Sequence, residues 1–472
     1  MQHDGGTQAR GEWRSRVGFV LAAAGSAIGL GNIWRFPGET AENGGAAFLV
    51  VYLAAVLLVG LPVMVAELSI GRRTRRNPVG AFLVLKERTP WWLLGGLGVV
   101  TGVAILSFYS VVAGWTLRYL FKAISGGLTG VDTAEQATAH FNDAVANGPM
   151  NTVMHGLFMI MTVLIVFGGV KKGIELASRI MMPLLLVLLV GLVLFSVSLP
   201  GAEAGLKFYL QPDWSQLTPK VIIAAVGQAF FSLSLGMGAM ITYGSYLARK
   251  ENLVSSGVLV AVMDTGIAVL AGLVIFPALA AAGANLETLP KGAGLIFTVL
   301  PTIFSSMPME PWGGIIFGTL FFLLLSVAAL TSTISLLEVG VAWAVDELHM
   351  SRHKAAILLG LAAFILGIPS ALATGGWQVF TQAHWLGMDF MTAMSTVFGT
   401  YSLTIGALLI CIFVGWVWGV KPALAELRDG CSSEGIMRLW SILVRFVCPL
   451  AIAVILAQSM GLLDRLAGLF PG

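Results

Sequence analysis

The side chains with the chemistry to bind an ion lie inside long apolar runs. Asp264 stands within the run 258–266, and Thr331, Ser332 and Ser335 stand within another. A carboxylate, hydroxyls and nearby free carbonyls supply oxygen ligands, which small hard cations prefer. Asp264 is therefore a candidate cation or proton site, with a structural hydrogen bond to an unwound backbone as the alternative. The hydroxyls have a second interpretation, because serine and threonine commonly bond to their own helix or to a neighbouring one.

Residues 25–37 carry a different binding chemistry, that of the backbone itself. This stretch lies within the apolar run 17–40 and holds three glycines within seven positions, followed by asparagine, arginine and proline. Glycine weakens a helix, proline ends one, and a backbone group freed in lipid is costly unless something satisfies it. We expect a helix unwound at mid-membrane that offers carbonyl and N–H groups to a ligand. The alternative is a glycine-rich packing face followed by a short hairpin.

The composition indicates a polytopic, all-α membrane protein. Hydrophobic residues make up 57% of the 472 residues and charged residues 11%, whereas soluble domains are about a quarter charged. The net charge of +3 gives no indication of a nucleic-acid partner. Cys411, Cys431 and Cys448 show neither pairing nor metal spacing. No nucleophile–base pair is apparent, which argues against an enzyme.

Eleven apolar runs are long enough to cross a hydrocarbon core about 30 Å thick. They cover about 17–40, 45–70, 91–123, 151–169, 174–198, 220–247, 254–283, 312–347, 355–372, 388–418 and 438–463. Nineteen lysines and arginines fall in the N-terminal tail and the even-numbered loops, six fall on the other side, and Arg35 and Arg445 lie within spans. The positive-inside rule predicts a cytoplasmic N-terminus and an extracytoplasmic C-terminus in the cell inner (plasma) membrane.

A second interrupted run is the sixth. Residues 227–238 again cluster serines and glycines at mid-membrane. The first and sixth runs start on opposite sides, so the interruptions occupy matching places in halves of opposite orientation. Such matched breaks are typical of inverted-repeat transporters, which bind their substrate where the breaks meet. The sequence therefore predicts one transmembrane domain, 1–472, with repeats at about 17–198 and 220–418 and an extra helix at about 438–463.

Two further polar residues lie within the spans. Glu67 stands in an apolar run, and we expect it to brace an unwound segment instead of binding substrate. Tyr109, in the third span, is either a pocket wall or an ordinary packing residue.

The motifs resemble a known family. Residues 25–37, followed by 42–48, resemble the first-helix signature of the neurotransmitter:sodium symporter family. Residues 228–238 resemble its sixth-helix signature, and Leu330, Thr331 and Ser332 resemble its eighth. The motifs are in order across nearly the whole chain and are similar to those of bacterial amino-acid members. The resemblance implies an all-α, LeuT-type 5+5 inverted repeat of 11 transmembrane helices, with helices 1 and 6 unwound and one extra helix.

The resemblance also implies two sodium ions and no organic cofactor. The first sodium site would comprise the Ala27 carbonyl, Asn32, Ser232, Asp264 and the carboxylate of the substrate. The second would comprise the carbonyls of Gly25, Ile28 and Ala328 with the hydroxyls of Thr331 and Ser332.

The implied substrate is a neutral amino acid. Its carboxylate would meet the backbone of Leu30 and Gly31 and the side chain of Tyr109, bordered by Ala27 and Ser232. Its side chain would lie among Ile105, Phe231, Ser234, Met237, Ser332 and Leu336. A half-helix N-terminus favours the carboxylate, and half-helix carbonyls favour ammonium and sodium. A substrate that ligates one sodium couples the two binding events reciprocally.

Gates are implied on both sides of the pocket. Arg35 with Asp389 would close the outside, with Tyr109 and Phe231 as a lid, and Arg10 with Asp346 would close the inside, helped by Trp13 and Tyr246. The alternative for each pair is a membrane-edge charge with no partner. Gly173 and Pro183, separated by nine residues, resemble a motif that lets the inner end of the fifth span unwind.

Four departures from the family pattern refine these expectations. Asp264 replaces a common asparagine, and Ala268 lacks the hydroxyl used by chloride-dependent members, so we expect chloride independence. Gly29 stands where amine transporters carry aspartate, which favours a substrate that brings its own carboxylate. Met237 replaces a common aromatic residue, and its flexible thioether tolerates varied side chains. A hydrophobic or aromatic L-amino acid is therefore expected.

Other functions remain as alternatives. The same fold could carry an osmolyte or an amine. An ion channel lacks support, because no filter-like repeat is present. The expected partners are an amino acid, sodium and the lipid bilayer, with no nucleic acid; a monomer suffices, and the oligomeric state stays open.

Overall fold

The computed structural model describes residues 12–249, 251–286, 295–305, 311–373, 378–381, 387–429 and 433–462. Arg10 of the predicted inner gate lies outside these ranges. Within them the chain is helical and contains no β-strand. The expectation of an all-α fold is therefore confirmed.

Nine helices in the described ranges are long and apolar enough to cross a membrane. They are Ala46–Thr74, Trp92–Ile124, Gly148–Phe167, Val170–Ser198, Leu253–Ala281, Trp312–Glu347, Arg352–Leu372, Phe390–Val417 and Glu434–Ser459. They correspond to the predicted spans two to five and seven to eleven, and we keep those ordinal names. The bent pair Arg16–Ala27 and Gly31–Glu42 forms the first span. The sixth consists of two short helices, so length and apolarity alone give ten spans and not the predicted eleven.

The first span breaks where the sequence predicted. Its first half ends at Ala27, Ile28 is extended, and the second half begins with a π-helical turn, Gly31–Arg35. The halves meet at an angle of 53°. Pro37 falls in the first turn of the helix that follows, Phe36–Glu42, where its missing N–H leaves no helical hydrogen bond unmade. The break is therefore upstream of the proline, in the glycine-rich segment.

The sixth span breaks over residues 233–238. Its first half is Pro219–Ser232 and its second half is Ala239–Ser245. Between them Ser234, Gly236 and Gly238 have φ angles of 54°, 88° and 77°. Positive φ suits glycine but is uncommon for serine, and such backbone conformations cluster at functional sites.

The remaining spans surround these two breaks. The long third and eighth spans pack along each other, and the first half of the first span contacts the fifth, seventh and eighth spans. Short helices occupy the connections: Pro78–Leu85, Ala134–Ala146, Ala202–Leu210, Leu300–Ser305, Gln378–Thr381 and Val420–Arg428. The breaks thus lie inside the bundle, where lipid cannot reach the freed backbone.

Close helix packing depends on small residues. The second span packs against Ala239–Ser245, and a Cβ added at Gly71 would lie 2.0 Å from the carbonyl oxygen of Ile241. A Cβ at Gly96, in the third span, would meet no atom within 4 Å. Gly71 therefore sets the distance between the second span and the second half of the sixth.

We predict that Gly71→Ala destabilises the protein and that Gly96→Ala does not. The added methyl group collides with backbone, which cannot rotate away, so an overpacking cost of about 1–3 kcal/mol is expected. Thermal unfolding of the two purified variants in the same detergent measures this difference. Equal unfolding midpoints would contradict the packing described for Gly71.

Candidate functional site

A cavity lies between the two broken spans and the third and eighth spans. Many of the residues predicted for the substrate line it: Ala27, Gly31, Ile105, Tyr109, Phe231, Ser234, Met237, Ser332 and Leu336. Leu30 and Ser232, also predicted, are buried but are not part of its lining. The structure brings the predicted residues together, and their role in substrate binding stays a prediction.

Two lining residues were missed by the sequence analysis. Ser26 lies in the first-helix motif, and its buried hydroxyl has no hydrogen-bond partner among the described residues. Its position within residues 25–37 was the available signal. Leu403 comes from the tenth span, and no sequence pattern connects that leucine with the site. Gly29 and Ser335, discussed above for other reasons, also line the cavity.

A buried carboxylate lies at the core of the predicted first sodium site. Asn32 Nδ2 donates to Asp264 Oδ1 at 2.7 Å and to Ser232 Oγ at 3.0 Å. The Ser232 hydroxyl donates to Asp264 Oδ2 at 2.7 Å, and Asn32 Oδ1 accepts the Gly29 N–H at 3.1 Å. Three predicted ligands from the first, sixth and seventh spans therefore form one hydrogen-bonded cluster, in which Asn32 faces the other two with its amide nitrogen.

Two further residues support this cluster. The hydroxyl of Tyr52, in the second span, lies 3.4 Å from Ser232 Oγ. Gln228 Nε2 donates to the Gly31 carbonyl at 3.1 Å and so ties the sixth span to the first break. Tyr52 was missed, because a tyrosine in an apolar run carries no signal of what it contacts.

The predicted second sodium site is a group of hydroxyls and carbonyls. Thr331 Oγ1 donates to the carbonyls of Ile28 at 3.1 Å and Ala328 at 2.8 Å, and Ser332 Oγ donates to Ile28 at 3.3 Å. Gly25 is adjacent, since a Cβ added there would lie 3.3 Å from Thr331 Cβ. All these ligand atoms are oxygens, the type that hard cations prefer.

The N-terminus of the second half-helix of the first span faces Tyr109. The Leu30 N–H donates to the Tyr109 hydroxyl at 2.9 Å, so two groups predicted for a substrate carboxylate are adjacent. Gly29 faces the same place: a Cβ there would lie 2.4 Å from Ser332 Oγ and 2.7 Å from the Tyr109 hydroxyl. Any side chain at position 29 would enter the cavity.

On the predicted outer side, Arg35 lies over the cavity. Its guanidinium carbon is 4.4 Å from the centre of the Phe231 ring, and its Nε pairs with Glu39 at 3.3 Å. Asp389 instead caps the helix Phe390–Met394 by accepting the Thr392 N–H at 3.0 Å. The structure thus gives both residues other partners, and the Arg35–Asp389 pair stays a prediction.

On the predicted inner side, the start of the first span is tied to the end of the sixth. Trp13 Nε1 donates to the Tyr243 carbonyl at 3.1 Å, and the Trp13 N–H donates to the Tyr246 carbonyl at 3.3 Å. Asp346 Oδ2 accepts from the backbone and the side chain of Asn77 at 3.0 and 3.1 Å. Its predicted partner, Arg10, is outside the described residues.

Ion pairs that the sequence analysis missed extend this network. Tyr246 donates to Glu338 at 2.7 Å, and Glu338 also pairs with Arg352 of the ninth span. Glu175 in the fifth span accepts the Arg14 N–H at 2.8 Å and pairs with Arg179. Except for Glu175 and Arg179, which lie four residues apart, these partners come from different segments of the chain. The sequence alone therefore did not indicate which of them would pair.

The N-terminal end of the fifth span, where unwinding is predicted, is helical in this structure. It begins with the π-helical turn Val170–Ile174 and continues through Glu175–Ser198, with Pro183 inside. A Cβ at Gly173 would lie 2.0 Å from the Ile165 carbonyl oxygen, so this turn packs tightly against the fourth span. Unwinding between Gly173 and Pro183 stays a prediction about another conformation.

Glu67 lies beside the break in the sixth span. Its Oε1 accepts the Gly236 N–H at 2.7 Å, a group that the break leaves without a helical partner. Glu67 is not among the residues that line the cavity. This geometry agrees with the expected bracing role.

Comparison with known proteins identifies relatives over nearly the whole chain. The model of the Sodium:neurotransmitter symporter family matches residues 10–143 and 135–466. The chain is 39% identical to the uncharacterized sodium-dependent transporter YhdH of Bacillus subtilis, covering 96% of this chain and 98% of that protein. It is 36% identical to an uncharacterized sodium-dependent transporter of Haemophilus influenzae, covering 96% and 98%.

A solved structure has the same fold. The crystal structure of MhsT in complex with L-phenylalanine matches with a TM-score of 0.85 and 45% sequence identity. The match covers 95% of this chain and 100% of that one. The predicted LeuT-type fold is thereby confirmed.

We predict that Glu67→Leu destabilises the protein more than Glu67→Gln. Leucine leaves the buried Gly236 N–H without an acceptor, which costs about 1–3 kcal/mol, whereas glutamine keeps an oxygen at that position. Thermal unfolding of both variants gives the comparison. If the two variants unfold together, the hydrogen bond to Gly236 does not brace the break.

Proposed function

Since the chain belongs to the sodium:neurotransmitter symporter family, whose members are sodium-dependent transporters and not enzymes, we propose that it imports a neutral, hydrophobic or aromatic L-amino acid together with sodium. Import would proceed by alternating access, driven by the inward sodium gradient. The observation that carries the proposal is the contact between the Asp264 carboxylate, Asn32 and Ser232 next to an apolar cavity.

The first sodium would bind at the Asp264 cluster. Asp264 is held by the neutral donors Asn32 and Ser232, so its negative charge is left for a cation. Ala27 lines the cavity beside it, and its carbonyl would be a further ligand. The carboxylate of the substrate would complete the shell, so that sodium and amino acid would each raise the affinity for the other.

The second sodium would bind between the first and eighth spans. Thr331 and Ser332 donate to carbonyls of the break, including that of Ile28. When a cation binds, the hydroxyl protons would turn away from the carbonyls. The same hydroxyl and carbonyl oxygens would then coordinate the ion. Because the ligands belong to two different spans, this ion would link the first half-helix to the eighth span.

An amino-acid substrate fits the distribution of polar and apolar groups in the cavity. The Leu30 N–H and the Tyr109 hydroxyl lie at one place, suited to a carboxylate. Ile105, Met237 and Leu336 supply an apolar wall, suited to a hydrophobic or aromatic side chain. The structural neighbour MhsT was solved with L-phenylalanine, which supports the same substrate class here.

An amine without a carboxylate is the weaker candidate. An aspartate at position 29 would have to bind the amine, and this chain has glycine there, in contact distance of Ser332 and Tyr109. A substrate that brings its own carboxylate would supply the missing charge. An osmolyte with a carboxylate remains the second candidate, to be separated by competition.

We also propose that transport is independent of chloride. Asp264 supplies a fixed negative charge next to the first sodium, where chloride-dependent members need an anion. Ala268, one turn further on, is buried and offers no hydroxyl to an anion. A second negative charge close to Asp264 would be repelled.

Alternating access would use the contacts at the two ends of the first span. Arg35 lies over Phe231 on one side, and Trp13 is tied to Tyr243 and Tyr246 on the other. We place the protein in the plasma membrane with its N-terminus in the cytoplasm, as the distribution of basic residues predicts. A monomer contains the whole proposed site.

Binding in three salts tests the proposal. We expect labelled phenylalanine, tryptophan or leucine to bind the purified protein in sodium chloride and in sodium gluconate, and not in choline chloride. Binding without sodium would overturn the coupling mechanism. Loss of binding in gluconate would overturn chloride independence. If these labelled amino acids bind in none of the three salts and labelled glycine, betaine or an amine binds in their place, the proposed substrate class is wrong.

We further predict that Asp264→Ala weakens the apparent sodium affinity at least tenfold. The variant removes the carboxylate from the first site, and tenfold corresponds to about 1.4 kcal/mol of lost interaction. Asp132→Ala, an exposed loop substitution, removes the same charge and should leave the affinity unchanged. Sodium titration of the thermal unfolding midpoint measures both. An unchanged sodium response in Asp264→Ala would exclude this carboxylate as a ligand.

A further inference from the structure

The eleventh span carries an arginine inside the membrane. Arg445 is the twelfth of the 26 residues of Glu434–Ser459. At about 1.5 Å per residue its Cα lies about 16 Å from the start of a helix about 39 Å long. A hydrocarbon core about 30 Å thick therefore includes this position. A cation at such depth needs an anionic or polar partner.

The protein supplies no such partner in the part of the chain that the structure describes. The Arg445 Nε is buried without a hydrogen-bond acceptor among those residues, and its guanidinium carbon is 5.7 Å from the centre of the Phe446 ring. Arg72 and Arg352, by contrast, pair with Glu426 and Glu338. Among the described residues, the charge of Arg445 has no acidic partner.

The backbone around Arg445 is also unusual. Arg445 is the central residue of a π-helical turn, Leu443–Val447. The turn contacts a second π-helical turn, Phe413–Val417 in the tenth span, whose central residue is Gly415. A Cβ at Gly415 would lie 3.5 Å from both Cα and Cγ of Arg445. Because Gly415 has no side chain, the aliphatic stem of Arg445 lies against the tenth span. Single π-helical turns are frequent at functional sites.

The surface beside Arg445 is apolar and exposed. Trp416, Phe446 and Leu450 are 48%, 59% and 69% exposed, and the Trp416 and Phe446 rings meet edge to face at 6.0 Å. Helical side chains lean towards the helix N-terminus, and long cationic ones extend to the headgroup layer. We therefore expect the Arg445 guanidinium to extend towards the headgroups at the Glu434 end. Arg438, exposed and two turns closer to that end, adds a second cation.

We propose that this surface binds an anionic phospholipid, with its phosphate on the Arg445 guanidinium and an acyl chain along Trp416 and Phe446. Arginine forms paired hydrogen bonds with phosphate, and anionic headgroups are attracted to basic residues at the membrane surface. A zwitterionic lipid would bring an ammonium group close to Arg438 and Arg445. The predicted orientation assigns the lipid to the cytoplasmic leaflet.

Native mass spectrometry of the purified full-length protein tests this. With phosphatidylglycerol added, the wild type should retain at least one lipid more strongly than with phosphatidylcholine. Arg445→Gln should weaken phosphatidylglycerol binding about tenfold, the effect of one lost charge-assisted contact. Lys354→Gln, which removes an exposed cation from the ninth span, should not. Equal binding by Arg445→Gln and the wild type would overturn the proposal, as would equal retention of the two lipids.

A measurement on the wild type keeps the test valid if Arg445→Gln does not fold. Photoactivatable phosphatidylglycerol in mixed vesicles should label peptides of the tenth and eleventh spans that contain Trp416 and Phe446 in preference to those of the fourth and ninth. Labelling spread evenly over the lipid-facing spans would overturn the proposal. Loss of this labelling when inorganic phosphate is added before photoactivation would show a phosphate site without lipid specificity. That result would also overturn the proposal.

Discussion

Backbone groups freed inside a membrane must be hydrogen-bonded, and this requirement governs how the two helix breaks are built. Hydrocarbon offers no partner for a free N–H or carbonyl. At the first break the Tyr109 hydroxyl accepts the Leu30 N–H, and Asn32 accepts the Gly29 N–H. At the second break Glu67 accepts the Gly236 N–H. Each break is thus held open by a side chain, which fixes the backbone where a ligand would bind.

The same requirement joins the breaks to each other. Ser234 donates to the Ser26 carbonyl at 3.0 Å, and Gln228 donates to the Gly31 carbonyl at 3.1 Å. Ser234 does so from a left-handed backbone conformation that serine rarely adopts. The two interrupted spans therefore share hydrogen bonds on both sides of the cavity. A change in one break must alter the partners of the other, which is the kind of linkage that coupled binding requires.

The sequence predicted the fold well because apolar length and interruption are local properties. The predicted spans differ from the observed helices by a few residues, and both breaks fall where glycines cluster. Most of the predicted cavity lining also came together, since long motifs fix residues relative to a break. Leu403, Tyr52 and the Glu338–Arg352 pair were not predictable. Their contacts depend on how distant helices pack. A leucine or tyrosine in an apolar run gives no indication of which helix it will contact.

Buried carboxylates in this structure are held either by an arginine or by neutral donors alone, and Asp264 and Glu67 belong to the second group. Glu338, Glu426 and Glu175 each pair with an arginine, so those carboxylates are neutralised within the protein. Asp264 is equally buried but is held by the neutral donors Asn32 and Ser232. These donors orient the carboxylate without cancelling its charge, and an uncompensated charge in an apolar interior is unfavourable. A small cation bound there would relieve that cost, and it would also reduce the repulsion between Asp264 and the carboxylate of an amino-acid substrate. The repulsion between two carboxylates thus gives a physical reason why substrate binding at this cavity would require sodium.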